Sequence, residues 1–214
     1  KRKQILSLLL CLFALGAMAK KQLVILHTND THSCIMPLSE NLADTAIAGR
    51  GGFLRRVEMI KEERRKHPDL LYFDSGDFSQ GSPYYTLFKG DVEIELMNRM
   101  GCDASTVGNH EFDFGMENMA RIFKRAKFPI LCANYDFTGT PLEGIVKPYT
   151  IFRRNGIRIG VFGIDPIGVD QELRFGSIPR SCPYGFADGS DAEAREEMRC
   201  RDLHLALRVG YRWR

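Results

Sequence analysis

Three short stretches gather side chains able to bind cations and move protons: HTNDTHS (27–33), DSGDFSQGS (74–82) and GNHEFDFG (108–115). In the first, Asp30 and His32 lie two apart, so an extended backbone points both the same way. One hard carboxylate beside one imidazole suits ions of the zinc, manganese or iron type. In the second, Asp77 follows Gly76 and precedes Gly81, and these glycines let the backbone turn sharply and approach a bound group. A single carboxylate placed there can bridge two ions. In the third, Asn109 offers a neutral carbonyl oxygen for a second metal, while His110 points toward a substrate. Asp113, three residues on, can hold the other ring nitrogen of His110, which fixes the tautomer and favours the protonated form. A protonated histidine at that place donates to a phosphoryl or leaving oxygen. Glu111 reads as a structural turn residue.

Elements that could position these loops follow from hydrophobic periodicity. QLVILHTND and DLLYFDSGD read as strands, with the amphipathic helix GGFLRRVEMIKEERRKH between them. GDVEIELMNRM is helical, ASTVG is a short strand, GMENMARIFKRAKF is a helix ended by Pro129, and ILCAN is another strand. YTIFRRNGIRIGVFGI reads as a β-hairpin turning at Asn155 and Gly156, a pair that tolerates positive φ. The expected fold class is α/β, layered around a mostly parallel or mixed sheet. Three successive strands run into polar, glycine-bearing turns, which is where sites form in such sheets.

Neighbouring polar residues have plainer readings. His27 is expected to pack or cap, His67 to lie solvated in a helix-ending turn, and Asp74 to buttress the second loop by accepting backbone hydrogen bonds. Gly51 and Gly52 fit a phosphate nest or a packing requirement equally well. The basic run in RRVEMIKEERRK is a solvated helix face. Phe73, Phe78 and Tyr84 are expected in the core.

The chain of 214 residues, 44% hydrophobic, can bury one sizeable core. Residues 1–19 combine a basic head, a short apolar run and small residues at Ala17 and Ala19, the pattern of a cleaved export signal rather than a membrane span. The expected location is periplasmic or secreted. The formal charge of +3 comes from the two ends; residues 22–198 hold 20 basic and 26 acidic side chains, so no nucleic-acid-binding surface is indicated. Cysteines 34, 102, 132, 182 and 200 remain once Cys11 leaves with the signal, and none is spaced as a metal or redox motif, so buried free thiols are expected.

Together, LHTNDTHS, GDFSQGS and GNHEFDFG resemble the N-terminal calcineurin-like metallophosphoesterase domain of the bacterial 5′-nucleotidase and UDP-sugar hydrolase family, over about Leu23 to Asp165. The resemblance implies a layered sheet sandwich flanked by helices. It implies that Asp30 and His32 bind a first metal, that Asp77 bridges, that Asn109 binds a second metal, and that His110 and Asp113 form a catalytic dyad. In such sites two divalent ions, zinc or manganese, sit about 3.5–4 Å apart, clamp a phosphate and activate water for in-line attack. The implied reaction is hydrolysis of a nucleotide phosphomonoester.

The family's later histidine motifs have no counterpart here, since only His204 follows Asp113. The reading is therefore an N-terminal part of the domain at 20–198, with its second half incomplete, and an arginine-rich tail at 199–214 without clear periodicity, expected to follow a frameshift or truncation. Weak metal binding, least secure at the second ion, and impaired hydrolysis are expected of the chain as given. A separate C-terminal nucleotidase domain is the expected partner. Competing readings are a noncatalytic, partner-dependent half-domain and a phosphodiesterase of the wider superfamily, against which FSQG and the acidic body argue.

Overall fold

The computed structural model describes residues 22–165 and the backbone of a strand at 203–208. The segment at 1–19 expected to be an export signal, Cys182, Cys200 and most of the arginine-rich tail lie outside the described residues.

The first strand, β1 (Ile25–Thr28), leads through a long loop to α1 (Phe53–Lys66) and then to β2 (Leu71–Asp74). In α1, Phe53, Val57 and Ile60 share one face and are buried, while Arg64, Arg65 and Lys66 in the last turn complement the helix dipole. The short helix α2 (Pro83–Phe88) begins at Ser82, whose hydroxyl accepts from the Tyr84 amide, with proline at the first helical position. Then come α3 (Asp91–Met100), β3 (Ala104–Thr106), a single 3-10 turn at Asn109–Phe112, α4 (Gly115–Phe123) and β4 (Ile130–Leu131). The chain closes with β5 (Val146–Lys147), β6 (Tyr149–Arg154), β7 (Ile157–Ile164) and β8 (Leu203–Arg208).

Two sheets result. The first has the order β1-β2-β3-β4-β5 with every pairing parallel. In the second, β6 and β7 are antiparallel and β8 joins β7 in parallel. Strand alternation divides the core between two layers: Leu71 and Phe73 face the second sheet with Ala104, Leu131, Ile159 and Val161, whereas Tyr72 faces the helices with Phe53, Ile60, Ile94, Met97 and Met119. The fold is therefore an α/β sheet sandwich flanked by helices.

Several expectations are refined by this geometry. The hairpin turns at Asn155 (φ 48°) and Gly156 (φ 67°), as read from the sequence. The α4 helix stops at Phe123 instead of running to the residue before Pro129. The tail, expected to lack clear periodicity, contains the strand β8, whose leucines at 203, 205 and 207 do alternate in sequence as a strand's residues do, and it pairs with β7. His27 is exposed, since it sits on the edge strand, and Tyr84 is also exposed. Among the described residues Cys102 and Cys132 are the buried free thiols expected, whereas the free thiol of Cys34 is only half-buried, and no helix is long and apolar enough to cross a membrane.

Candidate functional site

All parallel strands of the first sheet point the same way, so the loops that leave β1, β2 and β3 emerge together beyond the carboxyl ends. The first two loops run side by side. The amides of Asp30, His32 and Ser33 donate to the carbonyls of Gly76, Asp77 and Phe78 at 3.0, 3.0 and 2.8 Å. Asp74 accepts from the Thr28 hydroxyl at 2.6 Å and the Gly76 amide at 3.0 Å, the buttress its position suggested.

The third loop is held to the second by Glu111, which is fully buried. Its Oε2 accepts from the amides of Asp77 (3.0 Å) and Gly108 (2.6 Å), and its Oε1 from the amide of Ser79 (3.1 Å). The His110 amide returns the link by donating to Asp77 Oδ1 at 3.1 Å. Glu111 thus serves as a clamp between loops, spending both oxygens on backbone donors. Burial, reinforced by the Asp77 carboxylate, pushes its pKa up to about 8.

This stitching forces unusual backbone. Asp30, His32, Ser33, Asp77 and Gln80 all have φ between 41° and 65°, the left-handed region that costs a non-glycine residue about 1–3 kcal/mol when strained. Such conformations persist only where surrounding bonds over-determine them, and here they concentrate in two adjoining loops.

One ligand atom from each of Asp30, His32 and Asp77 lies within 4.8 Å of the others, the only group of three metal-capable side chains of this kind among the described residues. His32 Nε2 stands 4.0 Å from Asp30 Oδ1, and its buried Nδ1 has no hydrogen-bond partner. Burial raises the Asp77 pKa and the neighbouring Asp30 charge adds to the effect, while the His110 amide opposes it. A cation among these groups would remove that cost. The set of two carboxylates and one imidazole fits a divalent ion.

Asn109 is 9% exposed and adjoins Asp77. With its amide nitrogen toward Asp77 it donates at 3.1 and 3.3 Å, and its oxygen accepts from His110 Nε2 at 3.3 Å. With the oxygen toward Asp77, two acceptors converge, an arrangement that fits a cation between them. His110 Nδ1 lies 3.2 Å from Asp113 Oδ2, and the His110 ring meets the His32 ring edge-on at a centroid distance of 5.1 Å. The structure therefore brings Asp30, His32, Asp77, Asn109, His110 and Asp113 to one place. Two contributors were not apparent from sequence: Glu111 as a clamp across loops, and Tyr85, whose hydroxyl donates to the His110 carbonyl at 3.1 Å. The Ser-Pro helix start at 82–83 is the one local signal for Tyr85, and it announces a helix and not a contact.

Comparison with known proteins agrees with this architecture. The family model for calcineurin-like phosphoesterases matches residues 23–182. The human 5′-nucleotidase is 37% identical over 163 residues, covering 71% of this chain and 28% of the relative. A probable 5′-nucleotidase of Treponema pallidum is 37% identical over 150 residues, covering 68% of this chain and 25% of the relative. Among solved structures, a 5′-nucleotidase precursor from Thermus thermophilus superposes with a TM-score of 0.60 at 32% identity, covering 67% of this chain and 28% of that one. An NAD nucleotidase from Haemophilus influenzae gives 0.59 at 33% identity, covering 67% of this chain and 26% of that one. The chain thus spans less than a third of the length of these relatives.

Proposed function

This chain belongs to the calcineurin-like phosphoesterase family, and from that premise we propose that it is the site-bearing N-terminal part of a metal-dependent hydrolase of nucleotide phosphomonoesters. The observation that carries the proposal is the convergence of Asp30, His32 and Asp77 at the ends of adjacent parallel strands. Asp30, His32 and Asp77 would hold one divalent ion, and Asp77 with Asn109 would contribute to a second. When bound, such ions neutralise phosphoryl charge and make water a better nucleophile at neutral pH. His110 donates a proton to a phosphoryl or leaving oxygen, and Asp113 keeps the His110 ring oriented through Nδ1. Manganese and zinc both suit the donors.

These four ligands fill only part of two coordination shells, so water or another polypeptide segment completes them. Residues 20–198 form the first part of the phosphoesterase domain, and a C-terminal nucleotidase segment is the natural partner. The apolar segment before residue 20 supports export to the periplasm or exterior. The alternative of a noncatalytic half-domain is favoured by the same incomplete shells.

Phosphate release from adenosine monophosphate with manganese, measured with and without a separately expressed C-terminal half from a relative, tests the reading. Activity that falls about 10²–10⁴-fold in His110→Ala supports it, because general acid catalysis is worth that much. A rate equal in wild type and His110→Ala under both conditions overturns it and leaves the noncatalytic reading.

A further inference from the structure

Behind the metal-capable loops two hydroxyls, Ser82 half-buried and Ser33 fully buried, form a chain that ends on a carboxylate of another element. Ser33, adjacent to His32, is fully buried with φ 49°. Its hydroxyl donates to Oε1 of Glu93 and lies 2.6 Å from the hydroxyl of Ser82, while Ser82 accepts from the Tyr84 amide at 3.2 Å. With Glu93 as acceptor, the direction of the hydroxyl protons is set. Ser33 gives its one proton to Glu93, so the proton between the two serines comes from Ser82, which also accepts from the Tyr84 amide. The chain joins α2 to the first loop and the first loop to α3.

Glu93 occupies the first turn of α3, where an acid ordinarily faces water and complements the helix dipole. Here it is 0% exposed. A fully buried carboxylate is costly to retain unless it is used, and its hydrogen-bond partner is the residue next to His32. Ser33 is also the last of the three amides that stitch the first loop to the second, through its bond to Phe78.

We infer that Glu93 is a positioning residue for the metal centre: by accepting from Ser33 it fixes the left-handed exit of the first loop, and so the placement of His32 opposite Asp77. The inference rests on the metal-site reading above. It acts through acceptor geometry, so glutamine, whose carbonyl offers the same acceptor, replaces it and leucine does not. Partners that orient metal ligands from behind typically set about 10–100-fold of metal affinity.

The test uses the full chain stripped with chelator, titrated with Mn²⁺ alone and followed by the loss of the free-ion electron paramagnetic resonance signal, with urea unfolding in chelator as a separate readout. Glu93→Leu is expected to raise the Mn²⁺ Kd about 10–100-fold, and Glu93→Gln to keep the wild-type Kd. Ser82→Ala, which interrupts the chain one step earlier, raises Kd in the same direction and carries the test if Glu93→Leu does not fold. A Kd that stays at the wild-type value in Glu93→Leu, or in Ser82→Ala should the leucine variant not fold, overturns the inference even if the unfolding midpoint falls, because that pattern is purely structural. Equal weakening in Glu93→Gln and Glu93→Leu also overturns it. A wild-type chain that binds no Mn²⁺ removes the metal-site reading itself and the inference with it, an outcome distinct from the other two.

Discussion

Asp74 shows how a single buried carboxylate links the site to pH. It is 1% exposed, and burial pushes its pKa up to about 6 despite the opposing bonds from Thr28 and Gly76. An aspartate in an unfolded chain titrates near about 3.9. Between about pH 4 and 6 the folded state therefore holds a proton that the unfolded chain has released, so stability falls as pH rises, by at most about 1.4 kcal/mol per pH unit for this group. Its contribution is complete below about pH 4 and lost above about pH 6. Asp74→Asn keeps an oxygen for the Gly76 amide and cannot ionise. In urea unfolding of the chelator-treated protein across pH 4–7, the wild type should lose stability over that window and Asp74→Asn should lose less. An identical decline in both proteins would assign the effect to other groups.

At the scale of elements, the approach between the second and third loops depends on Gly108, whose φ of −113° is open to any residue. What demands glycine is space: a Cβ there would meet the Asp77 amide nitrogen at 2.5 Å and its carboxylate carbon at 2.9 Å. Gly108→Ala should force the loops apart, loosen the Glu111 clamp and cost about 1–3 kcal/mol, the usual range for overpacking, together with a weaker Mn²⁺ Kd. Wild-type values for both in parallel melts and titrations would mean that the loops yield freely. Sequence reading had the glycines of this motif but not this cause, and the difference is general. Strands β1 to β4, α1, α3 and the Asn155–Gly156 hairpin were legible because periodicity and turn chemistry are local, whereas β5, two residues long, shows no pattern of its own. The three loops were legible because ligand types cluster within them. The α2 helix, six residues long, is too short to show a period, and the alternating leucines of β8 lie within an arginine-rich run that hides them. The bonds from Glu111 to Asp77 and from Ser33 to Glu93 span 34 and 60 residues, and no local pattern encodes them.

Across the whole molecule, the two ends of the first sheet have different tasks. The carboxyl ends carry the strained loops. At the opposite end Asp103, just before β3, binds the three layers together: it pairs with Arg64 of α1 at 2.8 Å, pairs with Arg154 of β6 at 3.2 Å, and accepts the Tyr72 amide of β2 at 2.9 Å. Its side chain is 12% exposed, so these bonds are only partly screened and the Tyr72 amide has little access to solvent. Asp103→Ala leaves the buried Tyr72 amide without its acceptor and removes the carboxylate from Arg64 and Arg154, which keep carbonyl acceptors, a loss of about 2–4 kcal/mol on the scale of hydrogen bonds to charged groups. Arg64, Arg154 and Tyr72 bond to other groups, Tyr72 to Thr28 and Arg64 to the Leu70 and Gly101 carbonyls, and among the described residues none of them bonds to Asp30, His32, Asp77 or Asn109. The variant should therefore unfold at markedly lower urea with an unchanged slope, while the part that remains folded binds Mn²⁺ with the wild-type Kd. Should the metal affinity fall along with stability, the two ends of the sheet would be coupled through strand placement, and the loops alone would not account for the geometry of the site.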